Sequence, residues 1–279
     1  MTIGEWLRHS IEALEQSGCP DPAIDARWIA EDVLEMSATA LRFEAQKALD
    51  EAQLETLNAF LNRRLQGEPV QYILKRSDFM GMRFYVDKRV LIPRQDTETL
   101  VEAVIIALHG RHEPKVLDLC TGSGAIGISI GTLVPGADVT LSDISTAALE
   151  VAKKNAHNLN VNLTLRHGNL FDAVGRDKFD LIVSNPPYIP SCELEDLQSE
   201  VKFEPELALD GGADGLDFYR RIASEAPAHL NKGGSIYLEV GIDEAQDVLN
   251  LLKEHMDCAD SGIIRDLGGI ERIVWARSN

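Results

Sequence analysis

The stretch Val116-Leu117-Asp118-Leu119-Cys120-Thr121-Gly122-Ser123-Gly124-Ala125-Ile126-Gly127 restricts the fold of this chain more than any other segment. A short apolar run ends abruptly in glycines and passes into an amphipathic continuation from Ile128 to Leu133, which reads as strand, tight turn and helix. A strand that feeds a helix in this way belongs to a parallel sheet with crossover connections. From Val116 onward strands and helices alternate as such a sheet requires. Strands are expected at 115–119, 138–142, 163–166, 180–184, 235–240 and 271–276. The last follows a glycine turn, Gly268-Gly269, and the two late strands suit an antiparallel hairpin that closes the sheet.

Before residue 75 the chain has a different character. Thr2-x-x-Glu5 resembles a capping box that leads into Trp6, Leu7, Ile11 and Leu14 at helical spacing. Asp21-Pro22 places a cap and a first-turn proline before Ile24, Trp28 and Val33. Asp50 opens a third helix with Leu54, Leu57, Leu61 and Leu65 on one stripe, stopped by Gly67 and Pro69. These stripes read as core and carry no sign of catalysis. From Phe79 to Ile92 short β-like runs with turn signals at Gly81 and Asp87-Lys88 suggest a hairpin linker, and Thr97 to Leu108 is again helical. No internal repeat or low-complexity segment interrupts this order.

Composition limits the partners. The 279 residues suffice for a doubly wound domain of about 150 to 200 residues and a smaller companion. The net charge is −18, from 45 acidic and 27 basic residues, which is unsuited to extended binding of nucleic acid through phosphate neutralisation. One segment runs against this trend. Leu61 to Gln95 holds eight bases (Arg63, Arg64, Lys75, Arg76, Arg83, Lys88, Arg89, Arg94) against three acids (Glu68, Asp78, Asp87). It reads first as a solvated connector and second as a docking surface for an acidic or RNA-bearing partner. No apolar run approaches the roughly 18 residues of a membrane helix, and Met1 to Ser10 lacks a signal pattern, so no membrane association and a cytoplasmic location are expected. The four cysteines show no paired spacing, and His109 and His112 have no partner pair, so no metal site is expected.

Two motifs carry chemistry. Gly122, Gly124 and Gly127 satisfy G-x-G-x-x-G, and Asp143 follows at the end of the next expected strand. The pattern fits a dinucleotide as well as other adenosine cofactors, because a carboxylate accepts two hydrogen bonds from any ribose cis-diol. Asp118 tips the balance. A carboxylate beside a pyrophosphate is repelled, whereas one beside an ammonium or sulfonium is favoured, and S-adenosylmethionine carries both cations. The second motif, Asn185-Pro186-Pro187-Tyr188, closes the apolar run Leu181-Ile182-Val183. Prolines have no N–H, so this strand end offers carbonyl acceptors and almost no donors. A planar NH2 group could donate to the Asn185 side-chain oxygen and the Pro186 carbonyl while the Tyr188 ring covers its flat face.

On these residues the chain resembles the class I S-adenosylmethionine-dependent methyltransferases, and Asn185 to Tyr188 resembles the motif of the branch that methylates planar nitrogen. Further segments narrow the resemblance: Gly67 to Ile73, Ile92 to Glu98, Glu204-Pro205-x-Leu207-Ala208-Leu209, Gly211 to Leu216 and Arg272-Ile273-Val274. Together with the two motifs, and in this order over residues 1–277, they look like the glutamine methyltransferases of peptide chain release factors, the HemK/PrmC type. The resemblance implies an α/β fold: a doubly wound, mostly parallel seven-stranded sheet over 96–279, a β-hairpin linker over 76–95 and a helical recognition domain over 1–75. It implies S-adenosylmethionine as cofactor, class I release factors as partners, and the glutamine amide of a Gly-Gly-Gln loop as methyl acceptor.

Carried over residue by residue, Asp118, Cys120, Thr121, Gly122, Ser123, Gly124, Asp143, Leu170 and Asn185 form the expected cofactor set. Asn185, Pro186, Pro187 and Tyr188 hold the acceptor, with Asn185, Pro186 and Tyr188 acting in catalysis. The chain departs from the family twice. Gln95 stands where a linker proline is usual, and Asn169 and Leu170 replace an acidic residue and an aromatic after the third strand, so that Leu170 covers adenine by apolar contact alone. The expected reaction is an in-line displacement at the sulfonium methyl, with no general base evident and Tyr188 as a packing group. An adenine-specific nucleic-acid methyltransferase and a dinucleotide-dependent dehydrogenase are the other readings, since the first shares the planar acceptor and the second the glycines.

Overall fold

The computed structural model describes residues 1–279, which divide into two compact units. The first comprises Met1–Arg76 together with Gln198–Phe203, and the second comprises Ser77–Leu197 and Glu204–Asn279. The hairpin expected as a linker therefore groups with the sheet, and a short segment late in the chain groups with the helices. No helix is long and apolar enough to cross a membrane.

The first unit contains α1 (Ile3–Gln16), α2 (Pro22–Leu34), α3 (Ala38–Phe43), α4 (Glu51–Leu65) and α5 (Val70–Leu74). Both ends of the capping box at Thr2 are made: Glu5 N–H donates to Thr2 Oγ1 at 3.2 Å and Thr2 N–H to Glu5 Oε2 at 2.8 Å. A second box, Asp50 with Gln53, starts α4. Asp21 precedes α2 but makes no side-chain cap, so the proline at its start is the stronger local signal. The sequence pattern does not anticipate α3 and α5, which are too short to display a period. Trp6, Leu14, Ile29, Leu41 and Leu57 close the core, and the Trp6 indole donates to Asn58 Oδ1 at 3.0 Å. Buried beside that core is an ion pair between Arg64 Nε and Asp25 Oδ2 at 2.6 Å, and the same guanidinium also pairs with Glu200.

The second unit opens with a hairpin, β1 (Ser77–Phe79) and β2 (Met82–Phe84), turned by Met80 and Gly81, both at positive φ. It continues with α6 (Asp96–Leu108), β3 (Lys115–Leu119), α7 (Ala125–Leu133), β4 (Asp138–Asp143), α8 (Thr146–Asn158), β5 (Thr164–His167) and β6 (Phe179–Ser184). It ends with α9 (Asp217–His229), β7 (Leu230–Glu239), α10 (Ala245–His255), β8 (Cys258–Arg265) and β9 (Glu271–Ser278). The sheet has seven strands in the order β5-β4-β3-β6-β7-β9-β8. The first five are parallel, and β9 runs antiparallel between β7 and β8.

Successive strand residues point to opposite faces, and both faces are covered. Val116, Leu141, Leu181 and Val183 pack with Leu100, Val104, Ile126 and Ile128 on one side. Leu117, Leu119, Ile182, Ile236 and Leu238 pack with Tyr219, Ile222, Val248 and Leu252 on the other. Burial on both faces explains why these strands read as continuous apolar runs. The late segments 235–240 and 271–276 pair antiparallel as expected, as β7 and β9, but they are not joined as a hairpin. The hairpin partner of β9 is β8, whose residues Cys258-Ala259-Asp260-Ser261 are polar and mostly accessible and so carry no strand signal. Strand order reverses between β3 and β6, and a crevice at the carboxyl ends of these strands is where open α/β sheets bind ligands.

Candidate active site

Register brings three loops to that crevice. Leu119 pairs with Ser142 on one side and Ser184 on the other, so the chain beyond β3, β4 and β6 emerges side by side. Between them lies a cavity of about 940 Å³, its open mouth included. Cys120, Gly122, Asp143, Leu170, Asn185 and Pro187 line it, which places residues from both sequence motifs in one space.

The loop after β3 is held from below. Asp118 is fully buried, and its Oδ2 accepts the Thr121 hydroxyl at 2.6 Å and the Gly127 N–H at 3.0 Å. Its Oδ1 has no partner, and burial pushes the carboxyl up to about 7. Asp118 does not line the cavity, and neither do Thr121, Ser123 and Gly124. The sequence reading sets Asp118 against the cofactor's cations, whereas its place in the structure is under the loop, fixing the turn. The glycines divide the work. Gly122 faces open space at φ 54°, while a Cβ on Gly127 would fall 2.1 Å from Leu141 Cδ2, so the third glycine serves the close approach of helix to strand.

Asp143 closes the other side of the loop. Its Oδ2 accepts the Gly122 N–H and its Oδ1 the Ser145 N–H, each at 2.8 Å. Two backbone donors occupy two of about four acceptor positions, and the rest remain for a diol. Burial, opposed by these donors, raises the carboxyl above its ordinary value. Leu170 is buried at φ 52° and lines the cavity, and Asn169 Oδ1 accepts from Arg221 Nη1 at 3.0 Å.

At the end of β6, Asn185 and Pro187 line the cavity, while Pro186 and Tyr188 lie outside its lining. Asn185 Nδ2 sits 3.4 Å from Thr97 Oγ1. The turn after it is backed by the segment Gly211 to Leu216. A Cβ on Gly211 would lie 2.6 Å from Tyr188 Cα, and one on Gly215 2.4 Å from the Tyr188 carbonyl oxygen. Those glycines are required so that the two segments can touch. Burial pushes the Tyr188 hydroxyl up to about 12, which makes it a poor base at neutral pH.

Several lining residues lie outside the expected set. Phe218 and Arg221 enter from α9, Arg89 to Leu91 from the stretch after the hairpin, and Leu207 and Ala208 from the long segment between β6 and α9. The Glu204-Pro205-x-Leu207 segment carries a sequence signal, but Phe218 and Arg221 carry none. The basic stretch has a plain structural reading. Arg63 pairs with Glu68, Arg64 with Asp25, Arg76 with Asp32, Arg83 with Asp78, Arg89 with Asp87 and Arg94 with Glu204. Six of the eight bases of this stretch are thus engaged by acids.

Comparison with known proteins agrees with this geometry. Residues 5–74 match the family model described as PrmC N-terminal domain, and residues 95–198 match the methyltransferase small domain. A release factor glutamine methyltransferase of Geobacter sulfurreducens is 40% identical over 99% of this chain and 96% of its own length. One from Clostridium acetobutylicum is 40% identical over 99% of this chain and 98% of its own. Among solved structures, a Thermus thermophilus 16S rRNA methyltransferase in complex with AdoMet and guanosine matches with a TM-score of 0.54 at 19% identity, over 73% of this chain and 50% of that one. At that identity the likeness concerns the fold alone.

Proposed function

This chain belongs to the release factor glutamine methyltransferase family, and on that premise we propose that it transfers the methyl group of S-adenosylmethionine to the side-chain amide nitrogen of the glutamine in a Gly-Gly-Gln loop of class I peptide chain release factors. The observation that carries this reading is the meeting of two motifs in one cavity: Gly122 and Asp143 for an adenosine cofactor, and Asn185 at a donor-poor strand end for a planar amide.

The residues present fit the cofactor. Gly122 leaves open space for a ligand, Asp143 retains lone pairs for a ribose diol, and Leu170 with Phe218 supplies apolar surface for a purine. Phe218 provides an aromatic wall in a chain that lacks one at Leu170. When bound, the cofactor supplies an electrophilic methyl on a sulfonium. Asn185 then has a defined task. An amide nitrogen is a weak nucleophile because its lone pair is delocalised, and methylation places positive charge on it. The Asn185 Oδ1 and the Pro186 carbonyl accept its two N–H bonds, aim the lone pair and stabilise that charge. The proton leaves to water once the N–C bond has formed.

The experiment is labelled methyl transfer to purified release factor, to its loop Gln→Ala variant and to unmethylated DNA. Label on the intact factor alone is the expected result. Label on DNA, or equally on the Gln→Ala variant, rejects the reading in favour of an adenine methyltransferase.

A further inference from the structure

Glu239 ends β7 one position beyond the pairing of Leu238 with Ser184, which sets it opposite Asn185 on the neighbouring strand. It is 2% exposed, and nothing in the acceptor chemistry accounts for a carboxyl there. Its hydrogen-bonding neighbours are neutral: the side chains of Thr97 and Asn185. The nearby cation, Arg272, is drawn elsewhere, with Nε 3.3 Å from Asp266 Oδ2 and Nη2 3.7 Å from Asp96 Oδ2. One carboxyl oxygen, Oε2, is buried without a partner. An acid kept in such a place costs stability, and a cost of this kind is retained where it serves the site.

The donor count gives it a purpose. The Asn185 amide has two N–H bonds, of which one is directed to Thr97 Oγ1 and the other can reach the Glu239 carboxyl. The Thr97 hydroxyl, having accepted from Asn185, keeps its own proton to donate, and the same carboxyl is its neighbour. The network closes only with the Asn185 nitrogen turned inward, which leaves Oδ1 as the atom presented to the cavity. A flipped amide would set its oxygen against a carboxylate and offer donors to a substrate that itself donates. We propose that Glu239, with Thr97, is a positioning residue that holds the Asn185 amide in its acceptor orientation and, through the linked hydrogen bonds, increases the negative character of Oδ1. This inference rests on the assignment of Asn185 to the acceptor pocket.

Glu239→Gln tests it, because the substitution keeps shape and removes the charge that the carboxylate carries above about pH 7, where the assay is run. A glutamine has a single acceptor oxygen and brings an NH2 that competes with that of Asn185. In labelled methyl transfer to intact release factor, kcat should fall at least 10-fold, with KM for S-adenosylmethionine within 2-fold and the Tm equal to or above that of the parent. Thr97→Val, which removes one of the two holds on the amide, should show the same split with a loss of 3- to 10-fold. In an Asn185→Ala background neither substitution should slow the enzyme further, since there is then no amide to orient. A Glu239→Gln enzyme within 2-fold of the parent in kcat, or a loss that multiplies with that of Asn185→Ala, overturns the proposal. If Asn185→Ala is itself fully active, the acceptor-pocket reading fails too; if only the Glu239 and Thr97 variants are active, that reading stands and this inference alone falls.

Discussion

In the helical unit the buried carboxylate Asp25 lies 2.6 Å from the buried guanidinium of Arg64, while in the sheet unit Asp118 and Glu239 are as deeply buried and are held by neutral donors. The first arrangement compensates charge with charge and presents nothing to a ligand. The second leaves one oxygen of each carboxyl unpartnered and pushes each group up to about 7 by burial. The sheet unit, which also holds the cavity, contains paired buried acids of its own, Asp87 with Arg89, Glu204 with Arg94 and Asp266 with Arg272, so the contrast lies with Asp118 and Glu239 in particular.

The comparison breaks first at Arg64. Arg64→Met should destabilise the chain by about 3–5 kcal/mol in urea unfolding, because it strands Asp25 in the interior. Adding Asp25→Leu should recover most of that loss. A cost below about 1 kcal/mol for the single change would mean that the helical pair does not stabilise as a pair. In the sheet unit the corresponding penalty should fall on rate. Asn185→Ala should lower kcat by about 100-fold, the scale of removing one preorganised polar group, with unfolding nearly unchanged. Retention of activity within a few-fold would remove Asn185 from the acceptor site.

Asp143 belongs between these extremes. Asp143→Ala should weaken S-adenosylmethionine and S-adenosylhomocysteine binding by about 1.5–3 kcal/mol in titration calorimetry, through loss of charge-assisted bonds to the ribose. Equal affinity in parent and variant would detach this carboxylate from the cofactor. The pH dependence of stability separates the units further. Asp118 and Glu239, whose charged forms are disfavoured by burial, keep their protons up to about pH 7 when folded. The unfolded chain releases them near pH 4, so the folded state binds more protons across that window and stability falls as pH rises. Each group should contribute a slope of about 1.4 kcal/mol per pH unit, and Glu239→Gln should remove its share. A pH-independent stability between 5 and 7 in both proteins contradicts the assignment. The smallest effect is expected at the hairpin, where Arg83 and Asp78 pair with side chains 65% and 74% exposed. Arg83→Ala should change unfolding by no more than about 0.5 kcal/mol.

The two motifs were legible because each is local. Cys120 to Gly124 needs only a strand, a turn and a helix start, and Asn185 to Tyr188 only a strand end, so neighbouring residues along the chain specify both. Phe218 and Arg221 were not legible, since they reach the cavity from a helix more than 30 residues after β6 and look like any amphipathic surface. Glu239 left a faint mark: a charged residue inside the apolar run Ile236 to Val240, the same mark that Asp118 leaves in its own strand. Strand β8 left none, because its outer position lets polar residues stand where alternation would otherwise betray a strand.

The sequence alone determined the elements and their kind. Capping residues, glycines and apolar periods act over a few positions and express the same physics in any chain that carries them. The tertiary structure alone decided which strand lies beside which, and with it that Leu119 neighbours both Ser142 and Ser184, that Glu239 stands behind Asn185, and that β9 inserts between β7 and β8. Those pairings depend on burying both faces of one sheet at once, a condition that no single segment can encode. Asp118 shows the limit most clearly. Its sequence position announces a buried carboxylate, and only the packing of Gly127 against Leu141 determines that the carboxylate supports the loop from below.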